Sequence, residues 1–524
     1  MLIPTLALLA GAHAARYLNA STEYASGALG ASPHQTFKSS PAKPVIFNFQ
    51  KLPETQPAGR LFITPRGKDV ARKGATIVEW DGELVWDGAD FGESIGITPT
   101  QFGGAPALAL WQGLFNVAGY GNGRGLVLDK TYAVVANFTV MIEGHPEASV
   151  DFHEYIITVN DTALVTSYVT ESANLSAFGG PADGFIMVGY AQEVDIATGK
   201  ALWTWRSLDH VPPEQSVVPL GMTGTVEDPW DYFHINSIAK DAGGNYLISG
   251  RHTNAIYYVT REGSPIWVMG GRNSTLDMGT VKFSYQHDAR FYDNGISLFN
   301  NAGTALVHDS LSSRGMVVSI EGGKVSLVSE SLPFNQTVSE SQGNFDRVNN
   351  TWIAGWGQVP VVSEHDGANV LWAAQFGVGQ VQTYRAHRAY WEGYPTTNPS
   401  LAAENGTAYI SWNGATQVAR WEVLVAQTDT DGDAKESVGN VTKAGFETEI
   451  SVGAEGFFQV RARDAGGNVI GTSAFVGANG TQGRAPIASP VGPGDGGTLH
   501  DSSAERAGFS FAAAACAVAM ACAF

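Results

Sequence analysis

The chain has 524 residues, of which 15% are charged, and it carries 62 glycines and a formal net charge of −19. That length accommodates two or three domains with a large core. With 50 acidic residues against 31 basic ones and no Lys/Arg-rich run, the surface repels a phosphate backbone, which argues against nucleic acid as a partner.

Few stretches place apolar residues at helical spacing. Short β-branched and aromatic runs broken by Gly, Asn and Asp predict an all-β protein. Residues 1–14, MLIPTLALLAGAHA, are apolar and end in Ala12-His13-Ala14, the pattern of a secretory signal peptide without its positive start. Residues 15–56 form a Ser/Pro-rich N-terminal segment with one expected strand over 44–52.

From residue 57 a phrase recurs: a polar turn with Gly, a short strand, then Trp. It ends at Trp86, Trp203, Trp267 and Trp372. The gaps of 117, 64 and 105 residues are about two, one and two units of 50–60. Repeats of several short strands predict a β-propeller, because one four-stranded blade buries its two faces only against neighbours. Residues 57–398 divide into six blades of about 57 residues, with seven as the alternative count. The tryptophans are expected between blades, as core.

After Pro399 the pattern changes. AYISWNGATQVARWEVLVAQ and GFFQVRARDAGGNVIGTSAFV alternate in the manner of an immunoglobulin- or fibronectin-III-like sandwich over 400–478. Its expected role is structural. The run TDTDGDAKE at 428–436 has a D-x-D-G-D core but no downstream Glu of a calcium loop, so it reads as a solvated turn. Residues 479–508 read as a Pro/Gly/Ser linker. The apolar tail 509–524 is short for a membrane span of about 20 residues. Small residues, a polar spacer and that tail fit a GPI-anchor signal, with attachment among 495–497 or 502–503; a retained membrane helix is the alternative.

Cys516 and Cys522 both lie in the tail, so a processed chain has no disulfide. Ten N-x-S/T sequons begin at Asn19, Asn137, Asn160, Asn174, Asn273, Asn335, Asn349, Asn405, Asn440 and Asn479. Together these features predict a secreted or cell-surface protein carrying N-glycans.

Three histidines open expected inner strands: His153 in SVDFHEYIITV, His234 in DYFHINSIAK and His287 in FSYQHDARFYDNG. Innermost strands line a propeller's channel, so the three converge at one mouth. Asn236 follows His234 at strand period, and Arg251 ends the next strand. No carboxylate pair stands among these five residues, which argues against acid–base glycoside cleavage. Arginine binds tetrahedral oxyanions, and histidine serves as nucleophile or proton shuttle. The set describes a pocket for an oxyanion ester. His252 and His365 read as ordinary strand or turn residues. His387, in YRAHRAYWEGYP, reads as a rim residue with a substrate-binding role.

DYFHINSIAKDAGGNYLISGRHTNAIYYVTREGSPIWVMGG followed by FSYQHDARF closely resembles the fungal branch of the arylsulfotransferase (aryl-sulfate sulfotransferase) family, over about 57–395. The resemblance implies a six-bladed propeller that moves a sulfuryl group from an aryl sulfate donor to a phenolic acceptor, with no nucleotide sulfate and no separate cofactor. It implies His287 as the sulfated nucleophile, His153 and His234 as acid or stabilising groups, and Arg251 and Asn236 as ligands of the sulfuryl oxygens. The cysteine pair of the bacterial enzymes is missing here. Two other readings stand beside it: a Zn²⁺ or similar ion held by the three histidines, and a non-catalytic wall-associated binding propeller.

Overall fold

The computed structural model describes residues 16–116, 118–429, 436–452 and 455–483. The expected signal peptide, most of the 479–508 linker, the apolar tail with both cysteines, and the core of the 428–436 run lie outside the described residues. Among the described residues no helix is long and apolar enough to cross a membrane.

The described residues are all-β, with two four-residue α-helical turns, Thr22–Ala25 and Ser207–His210. Six sheets follow one another along the sequence, antiparallel except where Tyr17–Asn19 joins Phe47–Lys51 in parallel. The second comprises Ser94–Phe102, Ala105–Phe115, Gly121–Leu128 and Val134–Phe138. The third is Asp151–Ile157, Thr162–Ala173, Gly184–Asp195 and Ala201–Arg206. The fourth is Ile235–Lys240, Tyr246–Gly250, Ala255–Val259 and Pro265–Gly270. The fifth is His287–Tyr292, Gly295–Asn300, Arg314–Glu321 and Lys324–Ser331. The sixth runs from Asn344–Val348 to Asn369–Gln375 and is extended outward by Phe47–Lys51 and then Tyr17–Asn19. The N-terminal segment is therefore part of this sheet, and its strand matches the one expected over 44–52.

The first sheet is built from both ends of the region. Arg60–Ile63, Thr76–Val78 and Leu84–Asp87 receive His387–Ala389 as their innermost strand, with His387 opposite Phe62. The leading strands then touch in the order of the sheets, and the sixth returns to the first. The apolar core has the same order. Six buried clusters lie one between each neighbouring pair of sheets, the last joining Phe47, Phe49, Trp372 and Phe376 to Leu61, Ile63 and Val78. A sheet with both faces apolar has no other way to leave water.

The repeated tryptophans are all on fourth strands. Trp203 stacks on Tyr246 of the next sheet at 3.6 Å, and Trp86 stacks on Tyr132 at 4.7 Å. Trp267, half-buried, meets Tyr258. The second and fifth sheets have no Trp on this strand, which is why the gaps alternate between one and two units.

After Pro399 come two further antiparallel sheets. Ser400–Glu404, Thr407–Ser411 and Thr448–Ser451 form one. Glu436–Thr442, Arg420–Ala426, Phe457–Arg463 and Val469–Thr472 form the other. They share one core around Ile410, Trp421, Phe458 and Val460. This pair is fastened to the first two sheets: Asn413 exchanges two 2.8 Å bonds with the backbone of Asp87 in the first, and the hydroxyl of Tyr132, in the turn between the last two strands of the second, donates to Gly414 O.

Candidate active site

The three histidines sit at the start of the inner strands of the third, fourth and fifth sheets, and each strand has a register shift there. The shifts fall between Asp151 and Tyr155, Ile235 and Ser237, and His287 and Arg290. A bulge sets two residues against one and re-aims a side chain. His234 is also in the left-handed region, with φ +51, as is Asp288 with φ +54. Strand alternation therefore does not relate His234 to Asn236, contrary to the same-face reading.

A carboxylate two or three residues upstream fixes two of the rings. Asp151 Oδ1 accepts from the His153 backbone N–H at 2.8 Å and lies 2.6 Å from its Nδ1. Asp231 does the same for His234, at 3.1 Å from the backbone N and 2.5 Å from Nδ1. These Asp side chains are local turn acceptors that the bulged backbone leaves free to hold a ring. Two carboxylates therefore stand beside the named site residues, and both serve imidazoles.

His287 is held differently. Asn301 Nδ2 donates to Ser339 O at 2.8 Å and Gln342 O at 2.9 Å, so its Oδ1 is the acceptor facing His287 Nδ1 at 2.7 Å. The Gln342 backbone N–H points at His287 Nε2 from 3.3 Å. Both contacts specify one tautomer, with the proton on Nδ1 and the lone pair on Nε2. Burial holds His287 neutral, well below its ordinary pKa, and nearby Arg251 adds to this.

The rings of His153 and His234 meet edge-to-face at 4.8 Å. The Tyr384 ring stands edge-on to His153 at 5.7 Å and to His287 at 6.4 Å. All three histidines are covered, with 3%, 8% and 2% exposure. Burial keeps His234 neutral as well, and its neighbours His153 and Arg251 act in the same direction.

Arg251 opens a short turn after Tyr246–Gly250. Its guanidinium donates to Glu340 O at 2.8 Å and to His252 Nε2 at 2.7 Å, and leaves Nε buried without a partner. No carboxylate lies within ion-pair distance of it among the described residues. Asn236 is fully buried; Nδ2 donates to Gln286 O at 2.6 Å and Oδ1 has no partner. His387 is apart from this group. Its Nδ1 is 2.5 Å from Asp346 Oδ2 and its Nε2 is 3.4 Å from Thr98 Oγ1, with no ring contact to the three histidines among the described residues.

Sequence reasoning missed His252. Its ring lies 4.7 Å from that of His234, and burial pulls its pKa down to about 3. The adjacent "RH" pair was the available signal. Asp231, His234 and His252 place ligand-type atoms within 4.8 Å of one another. A cation there meets opposition, because the Arg251 guanidinium already occupies His252 Nε2. The sequence-expected trio of His153, His234 and His287 does not form this group.

Beneath the histidines, four charges close the axis. Glu154 accepts from Arg385 at 2.7 Å and Arg290 at 2.6 Å, and Asp288 pairs with Arg290 at 2.7 Å. Arg385 also donates to the carbonyls of His153 at 2.9 Å and Asn236 at 3.3 Å. Burial works to raise the Glu154 pKa, but the two guanidiniums outweigh it and hold the carboxyl ionised. Because Glu154 and Asp288 each follow a site histidine, this network ties two histidine backbones to one arginine. A cleft of about 750 Å³ between the fourth and fifth sheets, lined by Asn254, Met278 and Arg314, contains none of these histidines.

The sequence model of the family Arylsulfotransferase (ASST) matches residues 99–377. No curated protein matches the chain. Among solved structures, a protein of unknown function from Bacteroides caccae is 13% identical, covering 63% of this chain and 100% of that one, with a TM-score of 0.36. A Lactobacillus plantarum protein is 10% identical over 63% and 99%, TM-score 0.30. The Dos1 propeller is 12% identical over 74% and 87%, TM-score 0.27.

Proposed function

Since the chain belongs to the arylsulfotransferase family, we propose that it transfers a sulfuryl group from an aryl sulfate to a phenolic acceptor through a sulfated His287, without a nucleotide sulfate donor. The fold reading that goes with it is a six-bladed β-propeller over 57–398 followed by an immunoglobulin/fibronectin-III-like sandwich over 400–478. The observation that carries the function is the tautomer of His287: proton on Nδ1, lone pair on Nε2, beside an arginine with no carboxylate partner.

The steps balance as follows. His287 Nε2 gives its lone pair to sulfur, exchanging the long Gln342 amide contact for the new N–S bond. The aryl O–S bond breaks, and the phenolate takes a proton from His153, whose charge Asp151 compensates. Positive charge on the sulfated ring is met by the Asn301 carbonyl through Nδ1–H. Arg251 offers its free Nε–H, and the Nη hydrogens not engaged by His252 and Glu340, to the sulfuryl oxygens. An acceptor phenol then returns a proton to His153 and attacks sulfur, restoring His287. Asn236 gives one of its two Nδ2 hydrogens to Gln286 O, and its Oδ1, without a partner, suits the acceptor's O–H. His234, neutral and clamped by Asp231, positions His153 through their edge contact. His387 is given no contact with substrate.

A cell-surface location, of the type in the fungal branch of the family, is part of the proposal, with the 1–14 signal and a GPI signal or membrane segment at 509–524. In support of N-glycans, all ten sequon asparagines are exposed, whereas the buried asparagines 48, 236, 300, 301 and 344 all fall outside sequons.

Incubation with 4-nitrophenyl sulfate and a phenol tests the chemistry. Nitrophenol release that depends on phenol is expected from the wild type and is lost in His287→Ala. Release that survives the substitution removes His287 from the role, and no release by the wild type favours a non-catalytic binding ring. A metal-dependent reading rests on the Asp231, His234 and His252 group; about one zinc per purified chain, with activity lost to a chelator, would favour it.

A further inference from the structure

We infer that Arg66 is a second anion-binding group of this site, and that the substrate is an aryl sulfate bearing a further anionic substituent at the end remote from the ester. The inference rests on the sulfuryl-transfer reading and names its substrate class.

Arg66 follows the strand Arg60–Ile63 of the first sheet. Its backbone exchanges two hydrogen bonds with Gln382, at 2.9 and 3.1 Å, which places it beside the segment leading into Tyr384. The guanidinium lies 4.8 Å over the Phe115 ring, and Nη2 donates to Gln382 Oε1 at 3.3 Å. Nε is buried with no partner. Among the described residues no carboxylate comes within 4.0 Å. Burial pulls its pKa down to about 10, so it is still a cation at neutral pH.

Two routes connect it to the histidines. Gln382 Oε1 also receives Gln342 Nε2 at 2.5 Å, and Gln342 touches His287. Phe115 meets Phe152 at 6.5 Å, and Phe152 stacks on His153 at 4.4 Å. The other arginines buried around the axis are neutralised: Arg290 and Arg385 by Glu154 and Asp288, and Arg388 by Glu364. Among the described residues Arg66 and Arg251 have no such close partner: Glu93 and Asp231 act on them only from beyond ion-pair distance. They come from the first and fourth of six sheets that contact in a cycle, hence from opposite sides, and Tyr384 lies near enough to act on both. A partly desolvated guanidinium with no carboxylate in ion-pair contact is costly unless an anion completes it. Arg251 serves the sulfuryl group. A planar carboxylate across the aromatic wall fits the fork of Arg66.

The test compares 4-carboxyphenyl sulfate and the longer 4′-carboxybiphenyl sulfate with their methyl esters, on the wild type, Arg66→Gln and Arg66→Lys. Arg66→Gln should raise the KM of at least one carboxylate substrate by about ten- to a hundredfold, the worth of one charge-assisted bond. Ester KM values should stay within about twofold by the same bookkeeping, and Arg66→Lys should recover part of the loss. Equal effects on acid and ester, or none, overturn the inference. Should the wild type turn over neither substrate, the transfer reading fails separately; dissociation constants by calorimetry for the same compounds then decide the role of Arg66. No binding of either acid to the wild type also overturns it.

Discussion

Asn301→Leu probes the feature on which the chemistry depends. Asn301 is fully buried and makes three bonds, at 2.7 Å to His287 Nδ1, 2.8 Å to Ser339 O and 2.9 Å to Gln342 O. Leu is similar in shape and makes none. Ser339 O keeps a 3.5 Å contact with the Ser313 hydroxyl, so the groups left without a partner are Gln342 O and the His287 Nδ1–H. At about 1–3 kcal/mol for each orphaned group, the variant should lose about 2–6 kcal/mol of stability. The rate effect is separable from this. Without Oδ1, only the long 3.3 Å Gln342 amide contact still favours the proton on Nδ1, and the Nε2–H tautomer that becomes accessible has no lone pair to give sulfur. A wrong imidazole tautomer costs a histidine-dependent hydrolase about 10⁴ in kcat, so a loss of about 10³–10⁴ is expected here. Asn301→Asp should differ in kind: a carboxylate raises the His287 pKa, so activity persists at high pH and is lost as pH falls through the raised value. Initial rates of nitrophenol release across pH, with ¹⁵N NMR of the imidazole, check both. A folded Asn301→Leu variant that keeps its rate within tenfold, or shows the proton still on Nδ1, refutes the reasoning.

Two further outcomes follow from burial. His252 and His365 have pKa values lowered by burial to about 3 and about 4, against about 6.5 when unfolded. Below pH 6.5 the unfolded chain takes protons that the folded one refuses, so stability is complete above 6.5 and falls with pH, by about 2.5 kcal/mol per histidine at pH 4.5. His234 and His287 act in the same direction; denaturant midpoints unchanged between pH 6.5 and 4.5 would contradict this. Arg385→Met strips Glu154 and Asp288 of a buried partner and should cost about 3–5 kcal/mol in urea unfolding. A loss below about 1 kcal/mol would mean that the axial network does not hold the histidine strands.

What was legible along the chain was whatever has a local cause. Trp86, Trp203, Trp267 and Trp372 repeat because each fourth strand must seal the gap to its neighbour, and their spacing shows through even where two sheets have no Trp. His153, His234 and His287 stand out because an imidazole at the head of an apolar strand has no packing reason to be there. Asp151 and Asp231 are two and three residues from their histidines and were available signals, but their grip on the rings depends on bulges that no periodicity announces.

The amino-acid sequence alone determined the all-β class, the unit length, the family and the set of histidines, since propensity, alternation and motif are properties of neighbouring residues. Only the tertiary structure decided that His387–Ala389 joins Arg60–Ile63 to close the cycle of sheets. It also decided that Asn301 and Gln342 fix the proton of His287, that Arg385 spans the backbones of His153 and Asn236, and that Arg66 packs against Phe115 and Gln382. Each of these pairings spans from 14 to more than 300 residues. Their energies come from desolvation and hydrogen-bond geometry between segments whose approach is set by the packing of whole sheets, which no local pattern encodes.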